Sequence, residues 1–331
     1  MKQIYITNKV FTTTNPSSQN NQQMIPEGNM NSASTSVTKS GEAEIDGIDE
    51  TLTANYTTSE SDKSVILVEN GGNLTLDGGE VSKTGGDSSN TENSEFYGVN
   101  AGILVTENST ATIKNATIDT NAKGSNAVFS TGTDSKIYIS DSTITTTGSS
   151  SSRGLDATYG GYIEADNVKI TTQGGCSCAT LATDRREGTV IAKNSKLETN
   201  GNGSPVIYST GDISIKNTEG TGTFTAKNSS LSIQSDSNGG NVTLNAENQT
   251  LEGNIEIDNI STLTMNLSSS FYSGTINTDN TAKSIELKLD TNSSITLTGD
   301  SYVTSLEDEN SSYSNINFNG YKLYVNGVAI N

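Results

Sequence analysis

The sequence predicts an all-β protein, a single-stranded parallel β-helix with three strands per turn and roughly ten turns. Three observations carry this. First, one short pattern recurs: an apolar residue, a spacer, a small or apolar residue, a spacer, Asn or Asp, and three residues later another apolar side chain. Clear copies are Ala111-Thr-Ile113-Lys-Asn115-Ala-Thr-Ile118, Ile137-Tyr-Ile139-Ser-Asp141-Ser-Thr-Ile144, Ile163-Glu-Ala165-Asp-Asn167-Val-Lys-Ile170 and Val190-Ile-Ala192-Lys-Asn194-Ser-Lys-Leu197. Second, the polar anchor moves from Asn115 to Asp141, Asn167, Asn194 and Asn217 in steps of 26, 26, 27 and 23 residues. A fixed period in this range marks a solenoid, whose repeats bury their apolar faces only by stacking. Third, each period holds three short apolar pieces, and a left-handed hexapeptide helix, at about 18 residues per turn, does not fit such steps.

Within a period, the first piece alternates apolar and polar residues before the Asn, which turns its apolar side chains to one face of a strand. The second starts three residues after the Asn and runs into Thr and Ser, as in Ile144-Thr-Thr and Ile170-Thr-Thr. The third follows a Gly/Ser-rich gap, as in Gly102-Ile-Leu-Val105, Asn126-Ala-Val-Phe-Ser130 and Gly154-Leu-Asp-Ala157. No long stretch keeps a helical period. Asn at a bend tolerates unusual backbone angles and bonds neighbouring backbone. With successive turns about 4.8 Å apart, Asn115, Asp141, Asn167, Asn194 and Asn217 are expected to form a structural row, its amides bonding along the stack as in cross-β ladders.

Composition agrees. Of 331 residues, 31% are apolar and 5% aromatic, with no Trp and no His. That is too little for a compact globule of this length, but a solenoid interior is a thin aliphatic column. A net charge of −19 argues against nucleic-acid or anionic-membrane partners. The absence of His removes the commonest general base and zinc ligand. Cofactors are not expected, with weak Ca²⁺ binding by the acidic coat the one exception considered, and no metal site is assigned. Cys176 and Cys178, one residue apart in a strand or bend, are expected to point to one face as small thiols, since a disulfide between them would be strained. No apolar run reaches membrane-spanning length. The opening Met1-Lys-Gln-Ile-Tyr-Ile-Thr has no secretory apolar core, as expected of a chain not exported as written, a truncated start or an unconventional route.

In chain order, residues 1–40 read as a polar segment, disordered or capping, and 41–331 as the β-helix with its C-terminal cap. Ile45 to Leu52 is expected to contribute to an N-terminal cap, with the regular stack starting at Val65-Ile-Leu-Val68. The step from Gly78 to Asn115 is longer than the rest, and the excess falls in 85–100, a loop ending in Phe96-Tyr97-Gly98. Insertions in solenoids map to loops on one face, often the binding face. Phe96 and Tyr97 are therefore candidates for sugar stacking, set against simple packing of the loop. The turns from 150 to 208 carry Arg153, Asp156, Tyr159, Asp184, Arg185, Arg186, Glu187 and Tyr208. Stacking is expected to bring Asp156 beside Thr183 and Asp184. The end, Ile316-Asn-Phe318 and Tyr321-Lys-Leu323-Tyr-Val325, closes a rod about 50 Å long.

Several stretches carry a resemblance. They are Phe96-Tyr-Gly-Val-Asn-Ala101, Ser152-Arg-Gly-Leu-Asp-Ala-Thr-Tyr-Gly-Gly161, Cys178-Ala-Thr-Leu-Ala-Thr-Asp-Arg185, Gly203-Ser-Pro-Val-Ile-Tyr-Ser-Thr-Gly-Asp212, Leu297-Thr-Gly-Asp-Ser-Tyr302 and Asn319-Gly-Tyr-Lys-Leu-Tyr-Val-Asn-Gly327. Across roughly residues 64–331 the chain resembles repetitive right-handed parallel β-helix (pectate-lyase-like) surface proteins of anaerobic bacteria, described as adhesin-like. Right-handedness follows from this and from the general bias of parallel crossovers. The resemblance implies an extracellular or cell-surface location and no transferable catalytic residues.

Three functions are in play. The first is a non-enzymatic surface module binding polysaccharide, a host or cell-surface glycan, or matrix, through Phe96, Tyr97, Tyr159 and Tyr208. The second is a polysaccharide lyase or glycoside hydrolase using Asp156, Asp184, Arg153 and Arg185, since paired carboxylates can act as acid and base. The same residues read more simply as structural ion pairs. The third is a phage tail-fibre-like β-helix, which requires a trimer.

Overall fold

A computed structural model describes residues 37–331, apart from 186–187, 203, 210–211, 218–222, 227–230, 234–240 and 258. The chain is a parallel β-solenoid of about ten turns. One face is a sheet of nine strands, from Gly41–Asp46 to Ile255–Ile257, and the second a sheet of eleven, from Asp49–Leu52 to Ser305–Asp308. The third is carried by seven strands ending at Thr223–Ala226 and then four ending at Ile316–Asn317. Three sheets match the three apolar pieces of each period.

Register explains the core. On the second face Leu74, Ala111, Ile137, Ile163 and Val190 sit directly above one another, as do Leu76, Ile113, Ile139, Ala165 and Ala192. On the third, Val81, Ile118, Ile144, Ile170 and Leu197 do the same. All are buried. Each aliphatic side chain therefore packs on its counterpart one turn away, and alternation places its neighbours outside.

The Asn/Asp row is vertical: Asp166 pairs with Lys193, so Asn167 and Asn194, one residue further on, are neighbours. Asn115, Asp141, Asn167 and Asn194 all adopt the left-handed conformation, with φ between 51° and 54°. Each of the first three donates its backbone N–H to the turn above: Asn115 to Ser140 O, Asp141 to Asp166 O and Asn167 to Lys193 O. The side chains differ from the expected amide-to-amide ladder. Asn115 Nδ2 donates to Asp77, Asn167 Nδ2 to Asp141 and Asn194 Nδ2 to Asp166, at 2.7–2.8 Å. An amide donating to a carboxylate makes the stronger, charge-assisted bond, and the row lies at the surface, where a charged member costs little. Asn217 ends the strand Asp212–Asn217, and its side chain lies outside the described residues.

A second row was not anticipated. The residue after each bend is buried, and where it is serine it stitches turns together. Ser142 Oγ accepts from Ala116 N and donates to Ser140 O, and Ser195 Oγ accepts from Val168 N and donates to Lys193 O. Cys178 occupies another such stack. Its N–H donates to Ser204 Oγ, Ser125 N donates to Ser152 Oγ, and its thiol faces the carbonyls of Gly148 and Gly175. Cys178 is thus a serine substitute inside the column. Cys176 is exposed in a turn, with φ of 66°, so the two thiols do not share a face.

The stack starts one turn earlier than the sequence suggests. Gly41–Asp46 pairs with Ser64–Glu69, and Asp49–Leu52 with Asn73–Asp77, so Ile45 to Leu52 belongs to the first turn. The expectation for residues 1–40 falls largely outside the described residues. At the far end, Ala246, Leu267, Leu289 and Asp308 share one inward position. Asp308 ends that apolar file, accepting from Asn310 N and Asn315 Nδ2. Leu323–Val325 then turns back antiparallel on Val328–Ala329.

Candidate functional site

The site grows from one outward row on the first face. Leu67, Leu104, Phe129, Asp156, Ala182 and Tyr208 lie directly above one another. Leu67, Leu104 and Phe129 are large apolar side chains that face away from the core, so they require a cover. The insertion supplies it as a helix, Thr91–Tyr97, a single short element with no repeat to announce it. Asn90 caps its start, accepting from the N–H groups of Glu92 and Asn93. Gly98 ends it with φ of 70°. A β-carbon there would come within 2.5 Å of the Phe129 ring and 2.6 Å of Leu104, so glycine is required twice over.

The helix is tied to the turns beneath it. Asn126 Nδ2 donates to Ser94 O, Thr158 Oγ1 donates to Phe96 O at 2.9 Å, and the Ser151 hydroxyl bonds the Glu95 carboxylate. Its end presents Glu95, Phe96 and Tyr97 to the polar turns that follow. Glu95, Ser151 and Asn126 are components that sequence reasoning missed. The available signal was the unbroken apolar character of Val65-Ile-Leu-Val68 and Gly102-Ile-Leu-Val105, which marks strands covered on both faces.

Asp156 is 0% exposed and Arg153 2%. Arg153 Nη1 donates to Asp156 Oδ2 at 2.7 Å, and Nη2 reaches Asp184 Oδ2 at 3.4 Å. The expected meeting of Asp156 and Asp184 therefore occurs through Arg153. In register, Asp156 lies beside Ala182, and Thr183 beside Ala157. Among the described residues, Asp156 Oδ1 and Arg153 Nε find no hydrogen-bond partner. Burial pushes the Asp156 carboxyl up to about 7, against the pull of Arg153 and helped by the charge on Asp184. Burial also raises Asp184.

Four aromatic rings surround this cluster. The Arg153 guanidinium lies 4.8 Å from the Tyr208 ring centre, and that of Arg185 lies 4.0 Å from the ring centre of Phe96. Tyr97 and Tyr159 stack at 5.6 Å. Tyr159 sits at a left-handed bend with φ of 52°, is 37% exposed, and donates its N–H to Arg185 O. The described aromatic and charged candidates of this region thus converge on one ledge beside the insertion helix, while Arg186 and Glu187 lie outside the described residues. Phe96 and Tyr208 are already occupied by the chain's own guanidinium groups. Of the four rings Tyr159 is the most exposed, and the other three are half-buried.

Among the described residues no group of three or more Cys, Asp or Glu is arranged to hold a metal ion, and no helix is long and apolar enough to cross a membrane. No protein-family model, curated protein or solved structure compared with the chain matches it.

Proposed function

We propose that the protein is a non-enzymatic, adhesin-like surface rod that binds glycan on the ledge formed by Tyr97, Tyr159 and the end of the insertion helix. One observation carries this reading. The carboxylate and guanidinium that catalysis would need, Asp156 and Arg153, are sealed and paired with each other, while Tyr159, stacked on Tyr97, keeps 37% of its surface exposed. Aromatic faces suit the apolar faces of sugar rings, and a rigid stack of turns holds them in place without a mobile loop. The test is a glycan and host-matrix array probed with the purified chain, followed by Tyr159→Ala. Loss of the signal in the variant is expected, and no signal on any array removes the reading.

A second reading has one observation in its favour. A buried carboxyl held at about 7, beside a second aspartate, is in the range where a carboxyl serves as acid or base. It requires a polysaccharide-cleaving activity that Asp156→Asn and Asp184→Asn abolish. Activity that survives both substitutions ends it.

A further inference from the structure

We infer that the ligand of the Tyr159 ledge carries a positive charge, as the free amino group of an amino sugar does. The inference deepens the glycan-binding reading and rests on it.

The ledge already selects cations twice. Arg185 seats its guanidinium on Phe96, and Arg153 seats its own against Tyr208. Aromatic faces attract cations through their quadrupole. The stacked pair Tyr97–Tyr159 is the remaining platform of the same kind, and Tyr159 is the most exposed ring of the four. The local charge points the same way. Among the described residues, Glu95, Asp156 and Asp184 converge on a site that holds two guanidinium groups. Asp184 keeps 12% of its side chain exposed and, together with the opposing Arg185, acts on the Tyr159 hydroxyl, so it is the carboxylate available to an incoming ammonium. The chain as a whole carries −19, a field that draws in cations and repels uronate or sulfated polymers. A polymer of acidic sugars, the substrate that an arginine cluster would suggest, meets the wrong sign here.

Calorimetry on the full chain distinguishes the possibilities, using fully deacetylated glucosamine oligomers, N-acetylglucosamine oligomers of equal length, galacturonate oligomers and an oligoarginine peptide. The glucosamine oligomer is expected to bind about tenfold or more tighter than its acetylated form, weakening as salt is raised. Tyr159→Ala is expected to weaken it about tenfold. Arg185→Ala, which removes a competing cation and frees Phe96, is expected to tighten it severalfold. A circular-dichroism melt confirms that each variant is folded. If acetylated or acidic sugars bind as well as glucosamine, the charge inference falls and the glycan reading stands. If oligoarginine binds in a Tyr159-dependent way and no sugar does, the glycan reading falls and the preference for positive charge survives as a property of the ledge. Binding of none of the four overturns both.

Discussion

Arg153 and Asp156, three residues apart, form a buried ion pair at 2.7 Å on the outer side of a β-sheet, and Asp184 reaches the same guanidinium from the next turn. An outward position on a strand is ordinarily solvated. Here the insertion helix and Tyr208 enclose it, so the charges depend on one another rather than on water.

Removing one partner strands the other. Arg153→Met is expected to destabilise the fold by about 3–5 kcal/mol, because it leaves Asp156 buried without its cation. The double substitution Arg153→Met with Asp156→Leu is expected to recover most of that loss. Urea midpoints of the two variants and the parent check both statements.

The pH dependence follows from the raised Asp156 carboxyl. An unfolded aspartate titrates near 3.8, the folded one at about 7. Between those values the folded chain binds more protons than the unfolded chain, so this contribution is full below pH 4 and disappears as the pH climbs through 7. Asp184 is raised too and acts in the same direction. The melting temperature is expected to fall from pH 5 to pH 8, and to fall less in Asp156→Asn. Because the general acidic charge affects both proteins alike, the difference between the two slopes isolates Asp156.

The bend row makes a different demand. Asn167→Gly is expected to be nearly neutral, since glycine accepts its φ of 54° and only a surface bond to Asp141 is lost. Asn167→Val is expected to cost about 1–2 kcal/mol for forcing a branched side chain into the left-handed region. Thermal melts of the pair tell a conformational role from a hydrogen-bonding one. Equal losses in both variants would assign the stability to the side-chain bond.

Cys178→Ser is expected to change stability by less than about 1 kcal/mol, because serine already fills the equivalent place at Ser152 and Ser204. Burial also pushes the Cys178 thiol up to about 11. A thiol reagent at pH 8 is expected to label Cys176 alone, which mass spectrometry reads directly.

The architecture was legible because a solenoid writes its geometry into the chain once per turn. The inward aliphatic files and the bend row recur at the period, so Asn167 over Asn194 could be foreseen. The site was legible only as a neighbourhood. Asp156, Asp184 and Arg153 fall in successive turns, but their burial depends on the helix Thr91–Tyr97, which occurs once and leaves no period to detect. The donor choice along the row was hidden for a related reason. Asn115 and Asn194 reach diagonally to Asp77 and Asp166, a preference set by charge and not by spacing. The cysteine pair was misjudged because strand alternation was applied to a turn.

The backbone hydrogen bonds between successive turns all point along the long axis of the column. A molecule tethered at one end and pulled at the other therefore loads those bonds in line, a few at a time, and gives way by peeling rather than by concerted rupture. Extension under tension would come in increments of one lap, with the segment that holds Tyr159 surrendered only when its own lap is reached.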